Sequence, residues 1–263
     1  MDRKALFFDI DETLLSRNTG EVPESAVKAL GLARDQGHMT FVNTGRTITT
    51  LPGMFDTLPF DGFLCGCGTY IQYGEEVLSA RSIPSKRGEE IIRLIRSCDG
   101  DMLLEGREDC YLTRARSRFK KIEKFRDYFR KVGLGNTTYI EDGDFRFDKF
   151  IVCMDENTDR PRLMQGLEED MDIMDRHGGV YEVVPKGYSK ATAIAYILEH
   201  FQLNPEEIYV FGDSSNDLSM FQYAKHTIAM EHHDPMLDPY TEFITRSVEE
   251  DGIYHAMKHY GII

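Results

Sequence analysis

Ala5, Leu6, Phe7 and Phe8 form an apolar run that stops at two carboxylates, Asp9 and Asp11, one residue apart. The run predicts a buried strand. Side chains alternate along a strand, so Asp9 and Asp11 both project past its carboxyl end toward one point, and Ile10 faces away. Two anions placed together in this way repel each other and resist desolvation. A cation between them, or a proton on one, makes the pair tolerable. In an open α/β sheet the carboxyl ends of the strands are where ligands bind. A calcium loop competes, because Asp9, Asp11 and Thr13 stand at positions one, three and five of an EF-hand. That loop requires glycine at its sixth position and glutamate at its twelfth, where this chain has Leu14 and Gly20. The stretch alone leaves a phosphoryl-transfer site and a plain acidic turn as the two readings.

The chain of 263 residues is long enough for one large domain or two smaller ones, and 41% hydrophobic with 29% charged residues is a globular balance. No apolar run approaches the length of a membrane span, and the N-terminus enters a strand almost at once, so a cytoplasmic location is expected. A net charge of −14 argues against nucleic acid or an anionic membrane as partner. It also means that a phosphate ester is bound only where a metal and a few placed cations reverse the local field. The five cysteines, an odd number with no zinc-type pairing, predict reduced thiols. Cys65 and Cys67 read as two small residues near a strand end.

Past the opening strand, Val27, Leu30, Leu32 and Ala33 recur at helical spacing between Pro23 and Gly37. Met39 to Val42 is a second apolar strand, followed by Asn43-Thr44-Gly45-Arg46. Strand, helix, strand is a βαβ unit, which makes the strands parallel and places Thr44 near Asp9. A threonine hydroxyl and the N–H groups around Gly45 form a neutral cradle for phosphate oxygens. A third strand, Phe63 to Cys67, leads to a hairpin of Tyr70 to Tyr73 and Glu76 to Leu78.

Composition then shifts. Residues 82–186 carry helical patterns at Glu89 to Cys98, Lys120 to Val132 and Arg160 to Met171. Strand-like runs lie at Met102 to Glu105 and Phe147 to Met154, with two more near Tyr139 and Val180. This predicts an inserted α+β domain, a small sheet with helices on one face, between the two parts of a core at 1–81 and 187–263. The locally basic run Arg114 to Arg126 is either a solvated helix face or a surface that meets an anionic substrate.

From Gly187 the α/β pattern resumes. Ser189 caps a helix whose first turn carries Lys190, a cation at the end of a helix that favours anions. Ile208 to Phe211 is another buried strand and it too ends in acid, Gly212-Asp213-Ser214-Ser215-Asn216-Asp217. Hard oxygen ligands on a strand end and the adjoining turn suit magnesium. Short strands at Thr227 to Met230 and Phe243 to Thr245, and a helix from about Glu250 to Tyr260, complete the chain. His232, His233 and Asp234 are the one conspicuous histidine cluster, read as a loop near the cleft mouth or a second metal site.

Asp9-Ile10-Asp11-Glu12-Thr13, Thr44-Gly45-Arg46, Lys190 and Gly212 to Asp217, in that order, resemble the haloacid-dehalogenase-like (HAD) phosphatase superfamily over essentially the whole chain. The long insertion between the second and third motifs and Glu250-Asp251-Gly252 are similar to its Cof-type branch. The resemblance implies an α/β fold, a Rossmann-like HAD core with a parallel sheet plus an inserted α+β cap that sets substrate selectivity. It also implies Mg2+-dependent hydrolysis of a small phosphorylated metabolite, a sugar phosphate above all, through an aspartyl-phosphate. On the matching positions Asp9 would be nucleophile and metal ligand. Asp11 would be general acid and then base, with its backbone carbonyl on the metal. Thr44, Gly45, Arg46 and Lys190 would hold the phosphoryl group, Lys190 also touching Asp9. Asp213 would complete the metal's protein ligands, and Asn216 and Asp217 would support the metal and Lys190 or touch the phosphate.

Asp11 serves as an acid only if partly protonated, so its neighbours are expected to raise its pKa. The chain departs from the family pattern at Glu231-His232-His233 and at Cys67-Gly68, which bears on substrate preference. Two rival functions stand beside the phosphatase: a phosphosugar mutase, hinted at by the basic run, and a catalytically silent sensor of phosphorylated ligands. The expected assembly is a monomer or weak homodimer.

Overall fold

A computed structural model describes residues 3–143 and 145–263. The chain forms two compact units. One comprises the residues up to Arg46 with Leu51–Ala80 and Tyr188–Ile263; the other comprises Thr47–Thr50 and Arg81–Gly187.

The first unit is built on β1 (Ala5–Phe8), α1 (Glu24–Asp35), β2 (Met39–Asn43), β3 (Gly62–Cys65), β4 (Tyr70–Tyr73) and β5 (Glu76–Ala80). The second unit follows with α2 (Ser85–Ser97), β6 (Asp101–Glu105), β7 (Cys110–Tyr111), α3 (Lys120–Lys131), β8 (Lys149–Cys153), α4 (Arg160–Leu167), β9 (Met171–Asp175) and β10 (Val180–Pro185). The chain then returns to the first unit with α5 (Lys190–Phe201), β11 (Ile208–Gly212), α6 (Leu218–Tyr223), β12 (His226–Ala229), β13 (Phe243–Ile244) and α7 (Gly252–His259).

In the first unit these strands make one sheet of order β13-β12-β11-β1-β2-β3-β4-β5, parallel from β13 to β3, with β4 and β5 added antiparallel. β1 lies in the middle, paired with β2 and β11, and is buried on both faces, which is why it reads as an unbroken apolar run. Its two parities feed two cores. Leu6 and Phe8 pack with Ala29 and Leu30 of α1 and Ile253 and Met257 of α7. Ala5 and Phe7 pack with Ile194 and Ile197 of α5 and Met220 of α6. Helices thus cover both faces, and the strand ends carry the polar residues.

The second unit is a five-stranded antiparallel sheet of order β7-β6-β8-β10-β9. Helices α2 and α4 cover the face bearing Met102, Leu104, Val152 and Val183. The expectation of helices on one face only is corrected by α3, whose Ile122 and Phe129 pack on Leu103, Cys153 and Val180 of the other. Both parities of β6 are apolar, so each face needs a cover. The helix expected to run to Met171 stops at Leu167, because Glu168-Glu169-Asp170 would place negative charge on its carboxyl end. Met171 instead opens β9. Tyr139 makes a single bridge to Leu112 rather than a strand, since turn-forming residues flank it closely.

Candidate active site

The turn after β1 is made by one carbonyl. Ile10 O accepts from Thr13, Leu14 and Leu15 N–H groups at 3.3, 2.9 and 2.8 Å. Glu12 takes a left-handed φ of 61° to close this turn, at a cost of about 1 kcal/mol. Asp9 continues the ladder, its N–H donating to Phe211 O at 2.9 Å, so its carboxylate is fixed beside the end of β11. On that neighbouring strand end, Gly212 gives Asp217 room to fold back: a Cβ at 212 would fall 2.6 Å from the Asp217 carboxyl carbon. Asp217 Oδ2 then accepts from the N–H groups of Asp213 and Ser214 at 3.0 and 2.9 Å.

Ser189 caps α5 reciprocally with Thr192 and delivers Lys190 into the interior. The Lys190 side chain is fully buried, and its Nζ bridges Asp9 Oδ1 and Asp217 Oδ1, both at 2.5 Å. This explains the cation in the first turn of a helix: its charge is committed to two buried carboxylates. Burial alone would lower the ammonium's pKa, but Asp217 and Asp9 hold it above its usual range. Burial pushes Asp9 up to about 7, against the pull of Lys190, and the charges of Asp217 and Asp11 add to the rise.

Carboxylate oxygens of Asp9, Asp213 and Asp217 lie within 4.8 Å of one another. Three carboxylates around one lysine leave excess negative charge in a largely buried site, and an all-oxygen donor set of this kind fits a hard divalent cation. Asp217 already serves Lys190 and the 213–214 backbone with its two oxygens. The Asp11 carboxylate stands outside the trio. No cysteine or histidine joins a group with metal-binding spacing among the described residues.

Asp11 departs from expectation. Partial burial pushes its pKa up, but paired hydrogen bonds from Arg46, together with the charges of Arg46, Arg17 and Lys190, outweigh this and hold it below the usual carboxylate range. Arg46, expected at the phosphoryl group, contacts Asp11 in this arrangement. Thr44 is buried at the end of β2; its hydroxyl accepts from Arg46 N–H at 3.1 Å, and Gly45 lies between them. Asn216 is a neighbour of Ser214, whose hydroxyl donates to Asn216 Oδ1 at 3.1 Å.

The remaining candidates are accounted for locally. His233 is pinned by Met230 O at 2.6 Å and Asp238 Oδ1 at 2.9 Å, and His232 is exposed. Cys65 and Cys67 are buried, and burial raises the Cys65 thiol pKa. In the basic run, Arg114 pairs with Asp142, Arg118 with Asp155, and buried Arg126 with Glu123 and two carbonyls. Sequence reasoning gave no role to Asn43, a fully buried amide at the end of a strand.

The chain is similar to several known proteins. The Bacillus subtilis (strain 168) protein YkrA, provisionally named a phosphatase, is 27% identical over 100% of both chains. A solved structure of the HAD subclass IIB sugar phosphatase BT4131 superposes with a TM-score of 0.83 at 26% identity, covering 99% of this chain and 100% of that one. BT1666 from Bacteroides thetaiotaomicron, a phosphatase of the same superfamily, superposes with a TM-score of 0.87 at 25% identity over 100% and 96%. Residues 6–257 match the model of the haloacid dehalogenase-like hydrolases, and the chain belongs to that family of enzymes.

Proposed function

We propose that this hydrolase is a magnesium-dependent phosphatase of small phosphorylated metabolites, sugar phosphates foremost, working through an aspartyl-phosphate on Asp9. The observation that carries the reading is the Lys190 ammonium bridging Asp9 and Asp217, with Asp213 beside them. Carboxylates from strand ends about 200 residues apart meet around one cation, a costly arrangement unless chemistry uses it. The sugar-phosphate preference leans on the names of similar proteins, BT4131 above all.

Asp9 and Asp213, with the Asp11 carbonyl, would hold the metal, which when bound offsets the repulsion between Asp9 and an incoming phosphate. Asp9 Oδ attacks phosphorus in line with the leaving alcohol, and Asp11 delivers the proton that the alkoxide needs. The ester bond breaks as the acyl phosphate forms, splitting one difficult step into two. Water, deprotonated by Asp11, then releases phosphate and regenerates Asp9. Thr44 and the N–H groups near Gly45 orient the phosphoryl oxygens, and Lys190 neutralises charge on them and on Asp9. Asp217 keeps Lys190 in place, and Asn216 braces the same loop. Residues 82–186 would act as the cap that selects the leaving group. Arg114, Arg118 and Arg126 of the basic run are engaged by acids of their own unit, which does not favour the mutase reading.

The test is turnover of para-nitrophenyl phosphate and a panel of sugar phosphates with and without Mg2+. Turnover requires the metal and is abolished in Asp9→Asn; turnover indifferent to Mg2+ would refute the scheme.

A further inference from the structure

We propose that Asn43 is a positioning residue for the reaction, setting the Lys190 ammonium against the site from behind. The inference rests on the role given to Lys190 above. Asn43 closes β2, immediately before Thr44, and its side chain is wholly buried. Its Nδ2 donates to Lys190 O at 3.0 Å and sits 3.7 Å from Met220 Sδ, while its Oδ1 has no hydrogen-bond partner. A carbonyl in the first helical turn already receives an N–H from its own helix, so the amide is an additional donor holding the start of α5.

An unpaired buried acceptor is destabilising. An apolar side chain would rest against Met220 without leaving an acceptor unpaired. Stability alone therefore does not account for an amide here, and what the amide adds is its donor. A second contact acts on the same helix start. Gly68, at φ +91°, lies so close to Ser189 that a Cβ there would fall 2.6 Å from Ser189 O. The turn holding Gly68 is tied to the phosphate cradle by Cys67 N–H donating to Thr44 O at 3.0 Å. The end of β2 thus fixes Ser189 and Lys190 from two directions. Since the Lys190 side chain is packed on all sides, a displacement of its backbone carries directly to Nζ. Asn43 makes the phosphate cradle and the ammonium one rigid piece, which is what charge stabilisation in a transition state requires.

Asn43→Leu keeps the branched outline and the heavy-atom count, is bulkier by its methyl groups, and removes the donor; Asn43→Thr is close to asparagine in volume, keeps a donor and occupies the same strand position. Each is assayed in the magnesium-loaded protein with para-nitrophenyl phosphate, with orthovanadate and inorganic phosphate as inhibitors, and melted without metal. Asn43→Leu is expected to lower kcat about tenfold with KM changed less than about threefold. It should weaken orthovanadate, which resembles the transition state, by a similar factor, and phosphate hardly at all. Asn43→Thr should recover part of kcat. The metal-free melting temperature of Asn43→Leu should stay within a few degrees of the parent. An unchanged kcat, equal weakening of both inhibitors, or a threonine variant worse than leucine overturns the proposal. Should Asn43→Leu fail to fold, the kcat and inhibitor pattern of Asn43→Thr decides in the same way. A parent protein that hydrolyses nothing overturns the proposed function itself, a separate result.

Discussion

Arg46 grips the Asp11 carboxylate with two hydrogen bonds, Nε to Oδ2 at 2.9 Å and Nη2 to Oδ1 at 2.7 Å. Paired contacts of this planar kind are among the stronger charge-assisted bonds. They favour the anion, whereas protonation of a leaving alcohol needs the acid. Asp11 reaches its acidic form more readily once Arg46 lets go. The sign follows: removing Arg46 raises the Asp11 pKa, so more of it is protonated at a given pH. In Arg46→Leu the alkaline limb of the kcat/KM profile should move to higher pH, even if the maximum falls through weaker phosphate binding. A pH–rate series on parent and variant checks this, and an unmoved limb counts against Asp11 as the acid.

Lys190→Met leaves Asp9 and Asp217 buried without their cation. Such a loss costs about 3–5 kcal/mol, and turnover should fall by at least about a hundredfold. Burial already raises the Asp9 pKa above its unfolded value, and losing the ammonium raises it further. The contribution of Asp9 to stability is therefore intact at low pH and lost as pH rises through the raised value. The metal-free variant should melt closer to the parent at mildly acidic pH than at neutral pH, by calorimetry.

Asp213→Asn removes one negative charge from the carboxylate trio. Without metal the variant should melt at or above the parent temperature, because repulsion is relieved. Mg2+ should raise the melting temperature of the parent, and that rise should shrink or vanish in the variant. Chelation of the parent should abolish turnover and Mg2+ should restore it.

Asp155 accepts from Arg118 at 2.7 and 3.1 Å, which is the largest cause of a pKa depressed to about 2 from an ordinary 3.8. A depressed folded value stabilises the fold above the unfolded pKa and is lost as pH falls toward the folded one. Asp155→Asn should therefore lower stability at neutral pH and flatten the decline between about pH 4 and 2, read from melting temperatures across that range.

The core elements and the motif segments were legible in sequence because strand ends in a parallel sheet expose their chemistry as abrupt changes of residue type. Phe8 to Asp9 and Phe211 to Asp213 are such changes, and their adjacency follows from the pairing of β1 with β11. Lys190 was legible as an anomaly, a cation at the wrong helix end. What stayed hidden depends on contacts between distant segments. Arg46 could not be assigned to Asp11, because a side chain that long reaches several partners from one turn. Asn43 gave no signal, since a polar residue closing a largely apolar strand is common. In the second unit, α3 carries an apolar stripe, but a stripe does not say which face of a sheet it will cover.

The pairing of Ala5 with Ile208 and Phe8 with Phe211 has a bearing on biosynthesis. Until the ribosome has passed residue 212, β1 lacks one neighbour and Asp9 has no ladder partner. A nascent chain halted before residue 190 holds Asp9 with neither Lys190 nor Asp217, so its pocket is an uncompensated anion. Closing so large a loop is slow, and the hydrolase can be competent only after Asp217 has emerged and joined Asp9 and Lys190.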